Sequence, residues 1–125
     1  MIDMKTRTFA FAVNVGKLVG ELPRTVVNSA YINQIVRCSS SVGANYRAAR
    51  RAKSDADFLN KLKIVEEEAD ETIYFLELLN EFNKELNGKF VVLINEGTEI
   101  LKIIVASINT TKEKINNLSK EKSKK

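Results

Sequence analysis

The sequence has 125 residues, 44% hydrophobic and 29% charged, with a formal net charge of +4; this fits one ordinary globular domain and leaves little room for a second. Only 5 glycines and 1 proline punctuate it, which points to long helices rather than many short strands. Histidine is absent, which removes the usual general base near neutral pH and the imidazole metal ligand and argues against most enzymes, while the lone Cys38 excludes an intramolecular disulfide.

The N-terminal stretch is interrupted by charges and lacks the apolar core of a signal peptide. No run approaches the roughly 18 apolar residues of a membrane span. A cytoplasmic protein without membrane contact is the default expectation.

A first helix is predicted over residues 5–22, where Phe11, Val15, Leu18 and Leu22 form an amphipathic stripe. Gly16 and Gly20, one turn apart, weaken an isolated helix by about 1 kcal/mol each but allow another helix to approach closely. Pro23 ends this helix and suits the first turn of the next. The second helix is predicted over 24–51, on a stripe of Val27, Tyr31, Ile35, Val42, Tyr46 and Ala49. Its centre holds Cys38, Ser39, Ser40, Ser41, Gly43 and Ala44. Serine is an indifferent helix former, yet the apolar period continues on both sides without a phase break, so helix is preferred to loop.

Ser54 has the character of an N-cap, with Asp55 and Asp57 near the positive helix end. The third helix is predicted over 55–86, with Phe58, Leu62, Val65, Ala69, Thr72, Leu76 and Leu79 in 4-3 spacing. Asn87-Gly88 is taken as its C-terminal stop. The fourth is predicted over 89–118, on Phe90, Leu93, Gly97, Ile100, Ile104, Ile108, Thr111, Ile115 and Leu118. The lysine-rich residues 119–125 are expected to form a disordered tail outside the domain of residues 1–118. Four striped helices with short connections argue for an all-α, antiparallel up-down-up-down four-helix bundle.

Two charge runs bear on function. Glu66, Glu67, Glu68, Asp70, Glu71, Glu77 and Glu81 crowd the third helix without an intervening base. A carboxylate metal site would use such residues, but the Glu-x-x-His signature of di-metal bundles is missing, and pairing with basic residues in the bundle or its oligomer is the simpler expectation. No cofactor is expected. Arg47, Arg50, Arg51, Lys53, Lys61 and Lys63 surround the junction of helices two and three. They are the candidates for phosphate contact with RNA or DNA; the plainer account is a solvated helix end. Basic residues interleaved with aromatics, as in single-strand binders, are not evident beyond Tyr46. Cys38 lacks a histidine and lies among small packing residues, so a buried thiol is expected.

The stretch from Gln34 to Leu79 closely resembles the four-helix bundle protein family, also called the S23 or 23S rRNA intervening-sequence protein family. The pieces that carry the resemblance are Gln34-x-x-Arg37, Ser39-x-Ser41-Val42-Gly43-Ala44-Asn45-Tyr46-Arg47, Ser54-x-x-Asp57-Phe58 and Glu68-Ala69-x-Glu71-Thr72. Ala48 and Ala49 depart from it, since an acidic residue often follows the Asn-Tyr-Arg piece. The resemblance implies an antiparallel bundle, often a homopentamer with a central channel. Some members are encoded inside intervening sequences of ribosomal RNA genes. A distant relative, the accessory variability protein of diversity-generating retroelements, is thought to bind nucleic acid and a reverse transcriptase. The resemblance marks Ser41, Gly43, Asn45, Glu68 and Glu71 as structural or subunit-packing residues, with Asn45, if buried, fixing register through its amide. A non-enzymatic homo-oligomer that contacts RNA or DNA is therefore expected, and a purely structural oligomer is the rival reading.

Overall fold

The computed structural model describes residues 3–124 as four α-helices: α1 (Met4–Gly20), α2 (Val26–Arg50), α3 (Asp55–Phe82) and α4 (Asn87–Ser123). Each helix packs against the next in the chain, and α4 closes the ring against α1. This is an antiparallel up-down-up-down bundle.

Side chains set three of the four helix starts. Asp3 accepts the Thr6 backbone N–H at 2.9 Å, Thr25 accepts that of Asn28 at 3.1 Å, and Ser54 accepts that of Asp57 at 3.1 Å. Each bond satisfies one of the orphan donors of a first turn. Asp55 and Asp57 then place negative charge at the positive end of α3. The serine-rich centre of α2 is helical, and Ser40 Oγ donates back to the Val36 carbonyl at 2.6 Å. Thr8, Thr72, Thr98 and Thr111 bond the carbonyl one turn earlier in the same way, so these hydroxyls sit on helices without an unpaired polar atom.

The core follows the predicted stripes of α1 and α3 and most of that of α4, where Ile115 is half-buried and Leu118 exposed; on α2 the stripe is corrected, since Val27 is exposed and Tyr31 and Tyr46 are half-buried, while Asn28 and Ile32, one position further round the helix, are buried. Phe11, Val15, Ile35, Cys38, Val42, Leu62, Val65, Leu76, Leu79, Phe90, Ile100 and Ile104 are buried together. Two glycines set the closest approaches. A Cβ on Gly43 would lie 3.3 Å from Thr8 Oγ1, and one on Gly97 would lie 3.1 Å from both the Phe11 ring and the Ile73 side chain. Gly16 and Gly20 face open space instead, so within this chain they serve no close helix approach.

Several boundaries differ from the sequence expectation. Pro23 is not in the first turn of α2; Thr25 caps that helix, and the Pro23 carbonyl accepts from Asn28 Nδ2 at 2.9 Å. Helix α3 stops at Phe82, not residue 86, because Asn83 leaves helical geometry and turns its side chain inward. A short 3-10 turn (Lys84–Leu86) follows, and Asn87-Gly88 opens α4 rather than ending α3. Gly88 has no positive φ, so the left-handed cap that Asn-Gly signals is not formed. Residues Ser119–Ser123, expected to be a disordered tail, continue α4. No glycine or proline interrupts this segment, and Lys and Glu are good helix formers. Lys125 of that expected tail lies outside the described residues.

The buried polar centre of the fold is a pair of amides that sequence pattern did not single out. Asn28 Nδ2 donates to Asn83 Oδ1 at 3.0 Å, and Asn83 Nδ2 donates to Asn28 Oδ1 at 2.9 Å. Asn28 is 2% and Asn83 1% exposed. Each second amide proton is also used, on the Pro23 and Leu79 carbonyls. Asn28→Ala should therefore leave Asn83 with unpaired buried atoms and lower stability by about 1–3 kcal/mol, read by urea denaturation; an unchanged midpoint would show that the pair contributes nothing. Gly16→Ala should stabilise by about 0.5–1 kcal/mol, the cost of a helix-interior glycine, whereas Gly97→Val should cost about 1–3 kcal/mol by overpacking against Phe11. Thermal melts of both variants check the contrast.

Candidate nucleic-acid interface

The last turn of α2 carries Arg47 and Arg50, and Arg51 caps it. Cations there are favoured by the negative end of the helix dipole. The chain then turns through Ala52, Lys53 and Ser54 into α3. Asp57 organises this turn. Its carboxylate accepts from Lys61 Nζ and from the Lys53 backbone N–H at 3.3 Å. The Lys61 hydrogen bond first, then that from the Lys53 backbone, holds the Asp57 carboxyl below the usual range.

Antiparallel topology brings the far end of α4 to the same pole. Lys114 Nζ lies 3.3 Å from Asp55 Oδ1 at the first residue of α3. Helix α4 continues nine residues past Lys114 to Ser123, a projection of about 14 Å at 1.5 Å per residue. It carries Lys120 and Lys122, and Lys124 follows it. From Lys112 to Lys124 every residue except Ile115 is exposed.

The start of α1 completes the pole. Arg7 Nε and Nη2 bind the two Glu96 carboxylate oxygens, both at 2.8 Å. Arg7 lies in the first turn of α1, yet Glu96 is only about a quarter of the way along α4. Most of α4 therefore runs beyond the start of α1. An open hollow of about 600 Å³ lies there, lined by Asp3, Met4, Lys5, Thr6, Phe9, Tyr46, Arg47 and Arg50. The Arg47 guanidinium carbon sits 5.8 Å from the centre of the Phe9 ring, within cation–π reach.

Of the six basic residues singled out from sequence, Arg47 and Arg50 share the hollow, and Arg51 and Lys53 follow on the turn, exposed and outside its lining. Lys61 is half-buried and committed to Asp57. Lys63 is exposed two turns into α3. Among the described residues no carboxylate pairs with Arg47, Arg50, Arg51, Lys53 or Lys63. Sequence reasoning passed over Lys5, Phe9, Lys112 and Lys114 as parts of this pole. Phe9 carried a usable signal, a large apolar residue off the core stripe of its helix.

The family-matched residues have other surroundings. Arg37 reaches from α2 to α3, binding Glu68 at 3.2 Å and Glu71. Asn45 is half-buried, and its amide donates to the Ser41 carbonyl at 2.9 Å within α2. Ser41 is half-buried and Gly43 packs on Thr8. Glu67, Asp70 and Glu77 are exposed, and among the described residues no three thiols or carboxylates converge as a metal site. Burial raises the Cys38 thiol above its ordinary range, which suppresses its reactivity. Among the described residues, no helix is long and apolar enough to cross a membrane.

Fold and surface thus define a small helical bundle with one basic pole. The chain belongs to the 23S rRNA-intervening sequence protein family, whose model matches residues 2–106. It is similar to a solved protein of unknown function from the S23 ribosomal protein family of Bacteroides thetaiotaomicron VPI-5482, with 38% identity and a TM-score of 0.76. That alignment covers 83% of this chain and 96% of the other. No curated protein matches significantly. Residues 107–125, with the projecting part of α4, lie beyond the family match.

Proposed function

We propose that this protein is a non-enzymatic bundle that associates with itself and contacts RNA or DNA through its basic pole. One observation carries the nucleic-acid reading. Arg50, Arg51 and Lys53 on the helix junction and Lys112, Lys120 and Lys122 on α4 belong to the same end of the bundle, the last two on the rod that extends beyond it, and among the described residues none is paired with a carboxylate. Solvated helix ends carry one or two such charges. Six from two separate segments make a positive field suited to phosphate. The expected measurement is fluorescence anisotropy of labelled RNA and DNA between about 50 and 200 mM salt, over which affinity should fall steeply. Reversing Arg50, Arg51 and Lys53 to Glu should weaken binding to all sequences and flatten the salt slope by roughly 3. Absence of binding at low salt, or binding indifferent to these reversals, rejects the reading.

A separate feature supports self-association, and with it the rival reading of a purely structural oligomer. Tyr31 stacks at 6.0 Å from both Phe75 and Phe82, and Tyr74 meets Phe75 at 5.6 Å. Phe82 is 55% and Tyr74 59% exposed, with exposed Val27 one turn from Tyr31. A contiguous aromatic surface of this kind marks an interface between proteins. A second copy is its proposed occupant, in the homopentamer that the family resemblance implies. Light scattering should give about five times the 14.1 kDa chain mass, and Phe82→Ala should lower it. A strict monomer excludes self-assembly; an oligomer that binds no nucleic acid leaves the structural reading standing.

A further inference from the structure

Phe9 is unusual in its position. Helix α1 buries Thr8, Phe11, Val15 and Leu18. Phe9 lies two residues from Phe11, about 200° around the helix at 100° per residue, so no rotation of α1 buries both. It remains 58% exposed. Among the described residues none of the aromatic contacts involves it, so its ring has no aromatic partner there.

Its neighbours are cationic. Arg47 sits by the ring at 5.8 Å, and Lys5 and Arg50 line the same hollow. The one acid there, Asp3, is engaged in capping α1 through the Thr6 N–H. The hollow, about 600 Å³, lies in the range of small-ligand sites, roughly 300–1,000 Å³. A ring more than half exposed, with Arg47 over it and Lys5 and Arg50 in the same hollow, has the two components that hold unpaired nucleic acid: a platform for a base and charge for its phosphates. A duplex offers only the second contact, because its base faces are hidden in the stack.

We propose that the hollow between the start of α1 and the end of α2 seats an unpaired nucleotide, its base stacked on Phe9 and its phosphates held by Lys5 and Arg50. The proposal rests on the reading that the basic pole contacts nucleic acid, and narrows that contact to single strands. The three cations call for an anionic occupant, and the exposed Phe9 ring beside them calls for one that also carries a planar face.

The test uses the full chain, a short labelled oligothymidylate and a labelled duplex of the same length. Phe9→Ala should weaken oligothymidylate binding roughly 5- to 100-fold and leave duplex binding unchanged. Phe9→Tyr should retain single-strand binding. Phe9→Leu, still apolar but without a π face, should lose it as Ala does. Arg50→Glu should weaken both ligands. Thermal melts and light scattering on every variant report folding and assembly. Equal losses for both ligands, full rescue by Leu, or a change in oligomer mass in Phe9→Ala overturns the stacking site; the last would make Phe9 part of a contact between copies. If the wild-type chain binds oligothymidylate and duplex equally and Phe9→Ala changes neither, the stacking site fails while the basic-pole reading survives. If the wild-type chain binds neither, both fall.

Discussion

Asn28 and Asn83 exchange two hydrogen bonds at the end of the bundle where α1 turns into α2 and α3 turns toward α4. Apolar stripes tolerate sliding by a turn, since one leucine fits much like the next. Two amides that must meet face to face do not. Displacing either helix would strand four polar atoms away from water, each at a cost comparable to a lost hydrogen bond. The pair also shapes the adjoining turns: Asn28 holds the Pro23 carbonyl, and Asn83 ends α3 by folding back on Leu79. With that end registered, the positions of the helix tips at the opposite end follow from length.

Those lengths are unequal. Helix α1 has 17 residues and α4 has 37. Once Arg7 is bound to Glu96, α1 cannot accompany α4 along its course. The projecting lysine helix arises from this mismatch, while the hollow beside Phe9 lies between the start of α1 and the end of α2. The basic pole is therefore what remains when a short helix and a long one are aligned at the other end. The same antiparallel order places the α2–α3 junction between them, gathering cations distant in sequence.

The helical stripes were legible because they rest on one periodicity. Phe11 to Leu22, Phe58 to Leu79 and Phe90 to Thr111 each repeat the helical spacing on the side that is buried. Helix ends were less legible, since they depend on one side chain's hydrogen bond. Asn83 ends α3 because a distant asparagine receives it, and nothing local announces that. Asn87-Gly88 has the composition of a stop and instead begins a helix. The arginines around the α2–α3 junction could be read as a cluster because they are close in sequence. Phe9, Lys5 and Lys114 could not, because their nearness to that junction is a product of topology. Gly16 and Gly20 show the reverse case: a spacing that suggests tight packing, with nothing placed against it in the chain.

The projecting end of α4 touches little of the bundle. Substitutions on a rod bathed by water have small effects on folding, since no cavity opens and no buried bond breaks. Its lysines can be gained, lost or traded while the four-helix frame stays the same. The family match ends at residue 106, before this rod begins to project. The charge on this rod is thus uncoupled from the packing of the four-helix body, so its lysines can be changed at little expense in stability.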